Sequence, residues 1–168
     1  GSQLLSEEYQ LLTENNSYDF DIETYKNVLV DLKKILVDYR KKMDDLTKQV
    51  ESEIVKDNLD LSMFYQGVRS VQSFINKTKN YEPEVNSYLL KMLDGGELYS
   101  KTKLKDAAII NQLENSWNNY LINYIQQILQ HTGEHQKKYN AAEMVLKNIY
   151  AVALLAFINT KIKEHKAA

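Results

Sequence analysis

Residues His131-Thr132-Gly133-Glu134-His135 spell H-x-x-E-H, the inverted form of a zinc-protease helix motif. That chemistry needs both imidazoles on one helical face, with the glutamate as general base. Gly133 falls inside the turn between them, and glycine is the usual residue just past a helix C-terminus. The string therefore reads as a junction between two helices rather than a metal site.

Paired carboxylates occur at Glu7/Glu8, Asp44-Asp45 and Glu51/Glu53. A di-iron bundle needs Glu-x-x-His motifs projecting inward from two helices. No such motif occurs, and these acids are expected on polar, solvated helix faces beside lysines. His165 stands in a charged tail without a serine arrangement beside it. Asp94-Gly95-Gly96-Glu97 lacks the lysine that follows a phosphate loop. With no cysteine, a thiolate nucleophile, a Cys-ligated zinc and an iron–sulfur cluster are all excluded. The residues point to no enzyme, no metal and no cofactor.

Two segments carry residue types suited to binding. Glu97, Tyr99, Lys101, Lys103 and Lys105 form a charged stretch beside an aromatic ring. Loops between rigid helices often bind, and lysines steer acidic partners. These five residues are the expected partner-binding site. Ser116-Trp117-Asn118-Asn119-Tyr120 holds the only tryptophan, but Trp117 falls on an apolar stripe and is expected in the core. Twelve tyrosines exceed what one core can supply with hydroxyl partners, so some are expected at the surface.

The elements that position these residues are helices. One proline and five glycines in 168 residues leave long stretches without a breaker. Tyr25, Val28, Leu32, Ile35, Tyr39, Met43, Leu46, Val50 and Ile54 recur every three or four residues, which predicts a helix over 21–57 capped by Asp19 or Asp21. A second stripe runs from Leu61 to Ile75. A third helix is expected to start at Pro83 and stop at Asp94-Gly95-Gly96. A fourth starts near Asp106 and ends at Thr132-Gly133, and a fifth covers 135–163. The middle of the fifth is apolar all round, which predicts a central position among several neighbours. The fold class is all-α, an elongated bundle of four to five antiparallel helices, with residues 1–18 as a flexible leader and 19–168 as one domain.

Composition limits the partners. The formal net charge is −2, and acids and bases are interspersed, which argues against a phosphate-backbone ligand and so against nucleic acid. The longest apolar run, Ile149–Ile158, has ten residues, well below the roughly 18–20 of a membrane-spanning helix; it reads as a buried helix. Gly1-Ser2 reads as a cloning scar, so a targeting segment is expected upstream. All but Arg40 and Arg69 of the 21 basic residues are lysine. With abundant Asn, Ile and Tyr, that bias suits an AT-rich genome.

The leader GSQLLSEEYQLLTENNSYDF, the helix LKKILVDYRKKMDDLTKQVESEI and the Lys/Asn/Ile/Tyr bias resemble helical outer-surface lipoproteins of Borrelia spirochetes, in the group that includes complement factor H-binding proteins. The resemblance implies a domain lipid-anchored through an upstream cysteine on the bacterial outer surface. It also implies capture of a host protein such as the complement regulator factor H, for immune evasion. The competing expectation is an intracellular helical scaffold or oligomerisation module, in which the Tyr25–Ile54 stripe pairs with a partner helix or forms a homodimer.

Overall fold

The computed structural model describes residues 22–167, and among these residues the chain is helical with no strand. The fold is all-α. The leader and the Asp19 and Asp21 caps lie outside the described residues. Helix α1 spans Ile22–Lys56, α2 Val71–Lys79, α3 Ser87–Leu93, α4 Ala107–Ser116 and α5 Ile122–Ala167. Short 3₁₀ turns occupy Leu61–Met63 and Gly67–Arg69, and a π turn, Trp117–Leu121, carries α4 into α5.

Three helix ends share one device. After α1, α2 and α3 the backbone turns left-handed at Asn58, Tyr81 and Gly95. In each case the next N–H reaches back five residues to a carbonyl: Leu59 to Ile54 at 3.0 Å, Glu82 to Lys77 at 3.0 Å and Gly96 to Lys91 at 2.8 Å. These are Schellman stops, which satisfy carbonyls left over at a helix end. Asparagine and glycine adopt that conformation readily; tyrosine does not. Tyr81 is held there by its side chain, whose hydroxyl donates to the Asp44 carboxylate at 3.0 and 3.1 Å. The Arg40 guanidinium lies 5.0 Å from its ring centre.

Four expectations need correction. The stripe from Leu61 to Ile75 is not one helix: Gln66 and Gly67 both take positive φ, so the chain forms two tight turns before α2 and leaves Val68 exposed. Pro83 does not begin α3. The helix waits for Asn86, whose Oδ1 accepts from the Leu89 N–H at 3.0 Å. No break occurs at Thr132-Gly133, and α5 continues through both. Glycine inside a helix costs about 1 kcal/mol relative to alanine but does not forbid the helix. Finally, the apolar middle of α5 is not central, as shown below.

Contacts group the described residues into two compact units: residues 38–134, and residues 22–37 with 135–167. The first unit holds the larger core, in which Met43 and Val50 from α1 pack with Phe74, Leu89, Met92, Trp117, Leu121, Ile125 and Ile128. The Phe74 and Tyr124 rings meet edge to face, and Phe64 packs against Trp117. In the second unit a thinner core joins Tyr25 and Leu32 of α1 to Leu146 and Ala153 of α5.

Candidate partner-binding site

The segment following α3 is a loop fastened from beneath. Leu98, Tyr99 and Leu104 pack against the larger core, and the Leu98 carbonyl accepts from the Tyr65 N–H at 2.7 Å. Lys103 and Leu104 donate their N–H groups to Ser100, closing a turn. Lys101, Lys103 and Lys105 are exposed, whereas Tyr99 is half-buried. Glu97 stands 4.0 Å from Lys101, a separation at which an exposed pair adds little. The loop thus brings the three ammonium groups onto one short segment and turns Tyr99 partly toward the core.

His131 and His135 lie four positions apart on α5, because the helix runs through Gly133. Each ring is engaged in packing. His131 stacks on Tyr39 with ring centres 5.1 Å apart, and its Nε2 lies 3.1 Å from the Tyr39 carbonyl. His135 tilts against Tyr139. Among the described residues, no group of three or more His, Asp or Glu side chains has the arrangement of a metal site.

The paired carboxylates lie on α1, apart from Glu7/Glu8, which fall outside the described residues. Asp44 accepts from Tyr81, and Glu51 pairs with Lys79 at 2.8 Å. They tie α2 to α1. Trp117 is buried in the π turn. Tyr120 donates to Asp57 Oδ2 at 2.9 Å, and burial, reinforced by that acceptor, pushes its hydroxyl well above the usual tyrosine pKa.

The surface that sequence reasoning missed is on α5. Leu146 and Ala153 face the core, yet Met144, Val152 and Leu155 are 65 %, 63 % and 62 % exposed. Val145, Ile158 and Ile162 are exposed as well. Met144 or Val145, Val152, Leu155 and Ile162 recur at near-heptad spacing, forming a second apolar stripe on the face turned away from the buried one. Isolated exposed apolar residues are ordinary; a row of them is a candidate interaction surface. The available signal was the all-round apolarity of 144–162, read as burial because a sequence does not say how many neighbours exist to cover a helix.

By length and composition the stretch Ala107–Lys166 is also apolar enough to cross a membrane, with an 18-residue window of mean hydropathy 1.7, of which 11 % is buried. Its most apolar part, free of charge, lies between Lys147 and Lys161, residues 148 to 160. At about 1.5 Å per residue that part covers about 20 Å, short of the roughly 30 Å hydrocarbon layer. Comparison of the chain with known protein families, with curated proteins and with solved structures gives no match.

Proposed function

We propose that this protein is a non-enzymatic binding module that works by burying the exposed apolar stripe of α5 against a protein partner. The observation that carries this reading is the row Val145, Val152, Leu155, Ile158 and Ile162, left open to solvent on a helix whose other side is packed. Covering such a row removes apolar surface from water at about 25 cal/mol per Å², less the cost of association. The resemblance to Borrelia surface lipoproteins supplies the identity of the partner: a host protein such as the complement regulator factor H. It also supplies the setting, the outer membrane surface reached through an upstream lipid anchor. The exposed lysines 101, 103 and 105 serve as a steering patch for an acidic partner. The test is capture from human serum on the immobilised chain at physiological salt, with retained proteins identified by mass spectrometry. Specific retention of a complement regulator or another host protein is the expected result; nothing above a bead control contradicts it.

A second reading has its own support. Val145, Asn148, Val152, Leu155, Asn159 and Ile162 follow alternating steps of three and four, the spacing of a coiled-coil seam. An intracellular scaffold or homodimer would use that seam to bind a partner helix. The α1 stripe expected for this role is already covered, since Leu32 and Tyr25 are buried. Light scattering separates the readings: a doubled mass that Val152→Glu/Leu155→Glu returns to the monomer value supports the scaffold.

A further inference from the structure

Along α4, the π turn and the start of α5, side-chain amides recur once per turn: Asn111, Asn115, Asn119, Asn123 and Gln127. All five are exposed, and none has a side-chain hydrogen-bond partner within the described residues. Two grooves run beside them. One, of about 440 Å³, is lined by Asn111, Asn115 and Asn119 with Asp57. The other, of about 360 Å³, is lined by Asn119, Asn123 and Gln127 with Glu53, Leu46 and Val50. Asn119 belongs to both, so the row is continuous. No lysine, arginine or histidine lines either groove.

The π turn keeps the row on one side. In an uninterrupted α-helix the interval from Asn111 to Gln127 would rotate about 160° beyond whole turns, carrying the last amide away from the first. One residue absorbed by the wider π turn cuts that drift to about 60°. Single π turns inside α-helices are frequent at functional sites.

We propose that this amide row is a binding groove for an extended, basic peptide segment. A side-chain amide offers one acceptor and two donors, which match the C=O and N–H of a peptide group. Successive amides are about 6 Å apart along the helix axis. Two residues of polyproline II span about 6.2 Å and two of an extended strand about 6.7 Å, so alternate peptide groups of an extended chain meet successive amides in register. A helix offers no free backbone groups to this row and does not fit it. Glu53 and Asp57, the charged residues of the grooves, select lysine or arginine on the incoming segment. This surface uses none of the α5 residues invoked above.

The test is selection of a phage-displayed library of random 12-residue peptides on the immobilised full chain, followed by fluorescence anisotropy with the enriched peptides. The expected peptides are rich in lysine or arginine and in proline or β-branched residues, without helical periodicity. Their affinity falls about tenfold or more on Asn115→Ala/Asn119→Ala/Asn123→Ala, falls on Glu53→Gln, and is unchanged by Val152→Glu/Leu155→Glu. Side-chain amide resonances of the same asparagines shift on titration, which reads binding without any substitution. The proposal is overturned if nothing is enriched over bare beads, or if the peptides are acidic or amphipathic helices. It is equally overturned if binding survives the triple substitution or the amide resonances stay fixed.

Discussion

Deep in the larger core the Thr47 and Tyr124 hydroxyls share a hydrogen bond of 2.8 Å. Burial pushes the Tyr124 hydroxyl above its usual pKa, while its threonine neighbours partly offset the effect. Replacing Thr47 with valine keeps the volume but removes one of the partners of that hydroxyl. Thr47→Val should lower unfolding stability by about 1 kcal/mol, seen as a Tm about 2–4 °C lower. An unchanged Tm would mean that the bond contributes nothing net. Tyr120 gives a pH signature. A tyrosine whose pKa is raised in the folded state contributes stability that is complete below its ordinary value of 10. That contribution is lost as pH rises through the folded value. Urea denaturation across alkaline pH should show wild type losing stability more steeply above about pH 10 than Tyr120→Phe. Parallel curves would contradict the assignment.

At the scale of elements, Gly133 separates the two ways of reading the chain. As a helix stop in left-handed conformation it would resist any side chain. Here it lies inside α5, and a Cβ at this position meets nothing within 4 Å. Gly133→Ala should therefore stabilise the protein by about 0.5–1 kcal/mol, measured by denaturant melts; destabilisation would restore the break.

The same position shows what the amino-acid pattern encodes. The α1 stripe, the helix start near Asp106 and the stop at Asp94-Gly95-Gly96 were legible because side-chain periodicity and local hydrogen bonding decide them. Asp106 accepts from the Ala108 N–H at 2.9 Å as its residue type predicts. Glycine at 133 was ambiguous, since its backbone freedom permits both outcomes. The π turn was illegible: Trp117, Leu121 and Tyr124 have core-facing types in either register. Of the candidate partner-binding residues, the lysines 101, 103 and 105 were readable as an exposed cluster. Tyr99 was not readable as half-buried, because its burial depends on Leu98 and Leu104 docking into a core assembled from distant segments.

For the whole molecule, the two cores differ in kind. The unit of residues 38–134 surrounds its large side chains with contributions from α1 to α5. The other unit packs one face of α5 against α1 and leaves Val152 and Leu155 in water. In the reading we propose, a chain that buries Phe74, Ile125 and Ile128 almost completely while leaving a row of aliphatic side chains open is arranged for association. Exposed apolar rows carry an aggregation cost that a functional partner offsets.

The most direct test of that claim compares serum capture by wild type and by Val152→Glu/Leu155→Glu at matched loading. Circular dichroism should show that both fold with the same Tm, since the substituted side chains are exposed. The account predicts that the double substitution reduces retention of the captured protein at least about tenfold, because two charges then stand in the buried centre of the interface. Equal retention by the two proteins would contradict it and move the contact away from α5.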